Sequence, residues 1–555
     1  MAGKTRLGWT LAAFAGMACA GGAMAQTAAD YADDSAYGFD WSNGSNGGFG
    51  FGSWVFRTDS ENGDGFAGMQ MEYEPSDGLS NVGTNGQAWD IYANTGTGVE
   101  EATAFRGLSQ AIAVGESFSV SFEHGGIADG GVVGVALRNG NTDATASDYD
   151  SGARTQFYFQ GGTSSYSALD GSGLLDTGAG FTFDGVRATF TLRTADTYDL
   201  ELMRYTSEAE TAECYTFRGR TLAGSGTIDS LALFSNDGGA MDGLNNDAYF
   251  NSLVVETAPA LAATGTDTAD DPAYANGWAD CTDGGAGFDP WNFRGTTENS
   301  DGFAGRFMAD ENTDGASNVL NQDPGKAWAL YANNGSGQEV AAAFRGLEVP
   351  IAGAGRTLSI TFENGGVATG GLVGVALRTG NDFSDASDYA TGARSMFYFQ
   401  GGDSNYSVVD GAGLLATPAG FTFDGVTVKF IFTGADTYDM EVTRYYDELG
   451  GSDTYTVTGR TLAGSGAIES IAIFSDDGGA SDNLNNDVYF NNLVLGEFSA
   501  CSCDINGDGT LNLDDVNLFA TGFIGGDLGV DQDGNGTLNL DDVNLFASCF
   551  IAGCP

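Results

Sequence analysis

Ser121-Phe-Glu-His-Gly-Gly-Ile-Ala-Asp-Gly-Gly-Val-Val-Gly-Val-Ala-Leu-Arg138 recurs 240 residues later as Thr361-Phe-Glu-Asn-Gly-Gly-Val-Ala-Thr-Gly-Gly-Leu-Val-Gly-Val-Ala-Leu-Arg378. Phe157-Tyr-Phe-Gln-Gly-Gly162 and Gly219-Arg-Thr-Leu-Ala-Gly-Ser-Gly226 repeat at the same offset. A repeat this long and this well matched makes the chain a tandem duplication before any element is assigned. Copy one covers residues 31–257 and copy two 272–498, with an Ala/Thr-rich linker at 258–271. Two copies, each long enough for a core of its own, are tandem globular domains and not a solenoid.

Within a copy the apolar pattern has period two. Arg187-Ala-Thr-Phe-Thr-Leu-Arg193, Thr197-Tyr-Asp-Leu-Glu-Leu202 and Tyr249-Phe-Asn-Ser-Leu-Val-Val255 alternate along their length and are separated by Gly/Asp clusters. Such segments are strands joined by turns. The 87 glycines therefore mark turns, and with 12% aromatic content the chain has surface worth burying. The fold class expected is mainly β: two tandem β-sandwich, jelly-roll-like domains, followed by a small α-helical module.

The N-terminus has the layout of a secretory signal peptide: Lys4 and Arg6, an apolar stretch at 7–20, then Ala23-Met24-Ala25, with cleavage expected after Ala25. No later stretch reaches the roughly 20 apolar residues that span a bilayer, so the expected location is extracellular. Removing Cys19 with the signal leaves six cysteines, an even number suited to disulfides in an exported chain. Cys501, Cys503, Cys549 and Cys554 bracket the C-terminal segment, with three pairings open; Cys214 and Cys281 fall in different copies. The 75 acidic against 21 basic residues, net −54, exclude nucleic acid as a partner, because neutralising phosphates takes clustered Lys and Arg. Calcium and neutral polysaccharide remain open.

Catalytic chemistry finds little support. His124 is the only histidine and its counterpart is Asn364, so no triad can be shared by both copies. Asp199 and Glu201, repeated as Asp439 and Glu441, project from one strand face, but a jelly-roll glycanase resembling the laminarinase family would carry a glutamate two residues earlier, where Thr197 stands. These carboxylates are expected on a solvated outer face. Trp41, Trp54, Trp89, Tyr158 and Tyr166, matched by Trp278, Trp291, Trp328, Tyr398 and Tyr406, are expected mainly in the core. The loop 237–247, with Asp242, Asn245 and Asp247 in register with Asp482, Asn485 and Asp487, has the oxygen donors for a structural calcium. The closing strand around Asn485-Asn-Asp-Val-Tyr-Phe-Asn-Asn-Leu-Val494 resembles that of concanavalin-like and carbohydrate-binding sandwiches.

The C-terminal segment, 501–555, carries the most specific motif. Asp504-Ile-Asn-Gly-Asp-Gly-Thr-Leu-Asn-Leu-Asp-Asp515 places oxygen ligands at loop positions 1, 3, 5, 7, 9 and 12 and glycine at 6. The ligands expected are Asp504, Asn506, Asp508, Thr510, Asn512 and Asp515. A second loop 27 residues on supplies Asp531, Asp533, Asn535, Thr537, Asn539 and Asp542, giving two calcium ions. One short helix follows each loop, with Val516, Phe519 and Phe523 on a shared face. Aspartate at position 12 and the lack of a preceding helix separate these loops from calmodulin-like hands.

Duplicated loop–helix units of this kind resemble dockerins, and the near-identical halves with the closing Ala552-Gly-Cys554 are most similar to the GC-type dockerin-anchored exported proteins. The resemblance covers about 55 of the 555 residues. It implies calcium-dependent folding and docking to a cohesin-like receptor, with Leu513, Asp514, Leu540 and Asp541 where dockerins carry recognition residues. The function expected is a non-catalytic exported protein whose tail docks while its sandwiches bind glycans. The alternatives are a glycoside hydrolase or lyase of a polysaccharide-degrading complex, or a structural cell-surface protein.

Overall fold

The structure is a computed structural model; it describes all residues except 1–24, 39, 74–80, 84–85, 95–97, 208–210, 238–246, 311–324, 334–335, 447–450, 478–486, 498–502, 506–510, 533–536 and 553–555. The signal peptide, Asp242, Asn245, Asp482 and Asn485 therefore lie outside the described residues. Contacts divide the chain into two compact units. The first runs through Leu261 and includes Ala279–Gly284 and Asp289–Asn292; the second holds Ala262–Trp278, Gly285–Phe288 and the rest of the chain.

The first unit is a sandwich of two antiparallel sheets. Its strands are β1 (Gln26–Asp30), β2 (Val55–Ser60), β3 (Phe66–Tyr73), β4 (Gln87–Asn94), β5 (Glu100–Gly107), β6 (Glu116–His124), β7 (Val132–Arg138), β8 (Ala153–Gln160), β9 (Ser165–Asp170), β10 (Gly173–Gly180), β11 (Val186–Leu192), β12 (Thr197–Tyr205), β13 (Ala212–Thr221), β14 (Ser230–Asn236) and β15 (Ala248–Thr257). One sheet has the order β13-β12-β11-β6-β15-β4-β3, with β1 also paired to β15; the other runs β10-β9-β8-β7-β14-β5-β2. The second unit repeats both orders strand for strand, from Gly265–Asp267 to Val488–Glu497. The sheets begin earlier than the repeats read from the sequence, which start at 31 and 272: β1 lies at Gln26–Asp30, and Gly265–Asp267, within the expected linker, pairs with the last strand of the second sandwich. These two short strands differ in sequence between the copies, so self-comparison passes over them.

The repeated motifs mark places where backbones meet. A Cβ at Gly134 would lie 2.3 Å from the Phe157 carbonyl oxygen, and one at Gly161 only 1.8 Å from that of Ala128; Gly374 and Gly401 are in the same position in copy two. In the last strand Asn251 donates Nδ2–H to Gln87 O (2.8 Å) while its Oδ1 accepts from Ala32 N–H (2.9 Å); Asn491 does the same with Lys326 and Ala269, at 2.8 Å each. Buried backbone groups need partners, which is why Tyr-Phe-Asn recurs there.

Between the sheets, Trp41, Trp54 and Trp89 pack edge to face with ring centroids 5.2 and 5.4 Å apart for the Trp41–Trp54 and Trp54–Trp89 pairs. Beside them a buried Arg106–Asp30 ion pair is joined by Tyr37, whose hydroxyl accepts from Trp54 Nε1–H (2.9 Å). Arg345, Asp267 and Tyr274 form the counterpart in the second sandwich. β13 is an edge strand, and edges invite unwanted pairing. Here Cys214 is disulfide-bonded to Cys281 and its N–H donates to Asn292 Oδ1 (3.1 Å), so part of that edge is closed.

After the second sandwich come two helices, α1 (Leu513–Gly525) and α2 (Leu540–Ala552). Phe519 and Phe546 stack face to face with centroids 4.0 Å apart, and Cys503 and Cys549 form a disulfide. Cys501 and Cys554 lie outside the described residues. No helix among the described residues is long and apolar enough to cross a membrane.

Candidate functional site

Each C-terminal helix starts from a polar cap. Asn512 Oδ1 accepts from Asp514 N–H (2.6 Å) and Asp515 Oδ2 accepts from Asn512 N–H (3.0 Å), a reciprocal capping box. The second helix repeats it through Asn539 and Asp541 (2.6 Å) and Asp542 and Asn539 (2.7 Å), and Asp542 Oδ1 also accepts from Gln532 N–H (2.9 Å). Asp515 and Asp542 are fully buried. Burying a carboxylate needs compensating donors or a cation, so hard oxygen donors held this way suit calcium. Of the twelve expected ligands, Asp504, Asn512, Asp515, Asp531, Thr537, Asn539 and Asp542 are described; Asn506, Asp508, Thr510, Asp533 and Asn535 lie outside the described residues. Among the described residues no three His, Cys, Asp or Glu side chains converge as a metal cluster.

The outer faces of the helices carry a matched apolar set. Leu513 and Leu540 are 74% and 75% exposed, and Ile524 and Ile551 are 87% and 85% exposed. The stripe Leu513, Asn517, Ala520, Ile524 follows the i, i+4, i+7, i+11 spacing of one helix face, and Leu540, Asn544, Ala547, Ile551 repeat it 27 residues on. Asp514 and Asp541 are exposed beside the leucines. The dockerin resemblance points to the leucines and aspartates but not to the isoleucines, which helical periodicity places on the same face three turns further on.

The carboxylates of β12 are not on a solvated face, as had been expected. Asp199 is buried, its Oδ2 accepting from Arg193 Nε (2.7 Å) and Arg218 Nη1 (3.0 Å) and its Oδ1 from Gly219 N–H (2.8 Å). Arg218 also pairs with Asp289. Burial pushes the Glu201 carboxyl up, and Arg218 pulls it down. In copy two Thr433 and Thr458 replace the arginines, and Glu441 instead meets Lys429 at 3.4 Å near the surface. A pair built differently in the two copies is not a duplicated catalytic site, and three donors on Asp199 leave it an ion-pair anchor.

His124 is a core residue. Its ring lies among Phe159, Phe181 and Tyr166, with centroids 4.9 to 5.6 Å away, and Nδ1 is 2.8 Å from Gly125 O. Asn364 Nδ2–H donates to Gly365 O (3.0 Å) in the same way, which explains the exchange of residue types. Burial lowers the His124 pKa from 6.5 to about 4. A histidine that stays neutral when folded stabilises the protein above its unfolded pKa and loses that contribution as pH falls from 6.5 toward 4, by about 3 kcal/mol in all. Urea midpoints at pH 7 and pH 4.5 should therefore diverge for the wild type by more than for His124→Asn. Equal divergence would refute the neutral core histidine.

The tryptophans and Tyr166 and Tyr406 are buried, as expected, so none serves as a platform. Among the described residues, the exposed aromatics that recur in both copies are others: Phe66 with Phe303, at 66% and 63%, and Phe183 with Phe423, at 68% and 67%. Phe183 leans edge-on against Phe181 at 4.7 Å, and Phe423 against Phe421 at 4.8 Å. In the loop 237–247, Asp247 accepts from Asn94 Nδ2–H (2.9 Å).

No protein family matches the chain by sequence, and no curated protein does. Among solved structures, the Ca2+-bound exoplasmic/lumenal domain of VIP36 aligns over 38% of this chain and 85% of its own, with 8% identity and a TM-score of 0.23. Domain 4 of AbnA, a GH43 extracellular arabinanase from Geobacillus stearothermophilus, in complex with arabinotriose, covers 38% of this chain and 83% of its own, with 16% identity and a TM-score of 0.19. Lectin UEA-II complexed with galactose covers 42% of this chain and 98% of its own, with 11% identity and a TM-score of 0.23. At TM-scores of this size the likeness assigns neither ligand nor activity to this chain.

Proposed function

We propose that the chain is an exported, non-catalytic protein whose dockerin-like tail folds around two calcium ions and docks on a cohesin-like receptor while its two sandwiches bind neutral glycans. The observation that carries the docking is the matched pair of exposed stripes on α1 and α2. Four large aliphatic side chains left in water, at identical places in two helices whose other face builds the core, lose apolar exposure only by meeting a partner. Two equivalent stripes also allow the receptor to seat on either. For the sandwiches, Phe183 and Phe423 offer the same exposed ring in each copy, a surface on which a sugar face can stack. Repetition then adds avidity.

The test uses the full chain and an immobilised cohesin domain panel, with calcium or with EGTA. Capture is expected in calcium and not in EGTA. Leu513→Ala with Ile524→Ala should weaken binding only a few-fold because α2 substitutes, whereas adding Leu540→Ala and Ile551→Ala should abolish it, a loss of several kcal/mol of hot-spot contact. Capture that survives all four changes would refute the stripes as the docking surface.

A further inference from the structure

At one end of the first sandwich, the first residue of β5 is a fully buried glutamate. Among the described residues neither carboxylate oxygen of Glu100 has a hydrogen-bond or ion-pair partner. Ser60, directly opposite it on β2, has a buried hydroxyl in the same condition, and so has Ser235 on β14, opposite Ala102. Glu100, Ala102 and Ala104 share the inner face of β5, since side chains alternate, and both alanines lie in the core. The three orphaned groups thus look inward from three adjacent strands. The β2–β3 turn closes over them: a Cβ at Gly65 would lie 2.3 Å from Glu100 Cδ and 2.5 and 2.6 Å from its oxygens. The residue is held by its backbone and not by its carboxylate. Glu100 N–H donates to Asp237 Oδ1 and its carbonyl accepts from Asp237 N–H, each at 2.8 Å, with Asp237 in the left-handed region at φ 50°.

The second sandwich repeats the backbone setting. Glu339 is fully buried under Gly302, where a Cβ would lie 2.5 Å from its Cδ. It exchanges the same two 2.8 Å backbone contacts with Asp477, also at φ 50°. The hydroxyl of Ser475, the counterpart of Ser235, is buried without a partner.

An ionised carboxylate taken out of water without a counter-charge costs several kcal/mol. In a chain with 75 acidic and 21 basic residues, basic side chains are scarce, and the oxygens at hand are hard donors. We propose that Glu100 is the anionic ligand of a calcium ion seated between β2, β5 and the turn at 61–65, completed by Ser60 Oγ, Ser235 Oγ and turn carbonyls. Calcium accepts six to eight oxygens of mixed type, so a site with one carboxylate and several neutral donors is within its range. This ion fastens the β2–β3 turn to the inner ends of β5 and β14 and is separate from those of the tail.

The experiment silences the tail first. In the full chain with Asp515→Ala and Asp542→Ala, equilibrium dialysis against calcium should still count at least one ion per chain. Adding Glu100→Gln should lower the count by one, with the thermal midpoint of the first sandwich no longer rising on calcium addition. Where Glu100→Gln fails to fold, Ser60→Ala with Ser235→Ala provides the readout, raising the dissociation constant of one site by about tenfold. A silenced chain that takes up no calcium would overturn the proposal. So would a count unchanged by Glu100→Gln, or a Glu100→Gln protein as stable as wild type in both calcium and EDTA.

Discussion

Arg106→Met should destabilise the first sandwich by about 3–5 kcal/mol, the range for breaking a buried ion pair from one side. Arg106 and Asp30 are both wholly inaccessible to solvent. The guanidinium spends every edge: Nε donates to Gly52 O (2.8 Å), Nη2 to Gly47 O (2.7 Å) and Asn46 Oδ1 (3.1 Å), and Nη1 to Asp30 and Tyr37. It also lies over the Phe51 and Trp54 rings at 4.8 Å from each centroid. Methionine fills the volume and keeps the ring contact, but it leaves Asp30 buried with only the Tyr37 hydroxyl and strips two carbonyls of their donors. Unfolding followed by tryptophan fluorescence should then split, with the second sandwich, stabilised by Arg345 and Asp267, melting where it did before. Asp30→Leu combined with Arg106→Met removes both charges and should recover part of the loss. A single unshifted transition for Arg106→Met would show that the pair contributes nothing net.

Cys503→Ser with Cys549→Ser should unfold the C-terminal module and leave both sandwiches intact. Each helix has 13 residues, near the length at which an isolated helix is marginal in water. The module's buried core is small: Cys503, Phe519, Val530 and Phe546. Segments of this size need a staple or a metal. A disulfide separated by 46 residues contributes about 4 kcal/mol by restricting the unfolded chain. The expected readout is loss of the 222 nm helical signal and protease cutting near residue 511, while the β signal persists. Restoration of the helix by saturating calcium would show that metal and disulfide act additively on one folding equilibrium. Unchanged helix content in both conditions would refute the dependence.

Period-two alternation and a 240-residue repeat determine two β-sandwiches, because one face of each strand must leave water and the spacing of apolar residues says which. The helices after each C-terminal loop were legible for the same reason, from the 3.6-residue period that brings Phe519 and Phe546 inward. What local pattern does not contain is long-range pairing. Whether Cys214 meets Cys281, and which cysteine Cys503 chooses, depends on where distant strands come to rest. Asp199 sits in a perfect outward position by alternation, yet Arg193 and Arg218 from its own neighbourhood of the sheet bury it. Glu100 is the converse case: an acidic residue at a strand start reads as solvated, and only the turn at Gly65 closing from a neighbouring strand takes it out of water. Sequence determines which face of an element is apolar. The tertiary fold alone decides what the polar atoms on those faces meet, since solvation is set by every segment that packs above a residue and not by the residue's own strand.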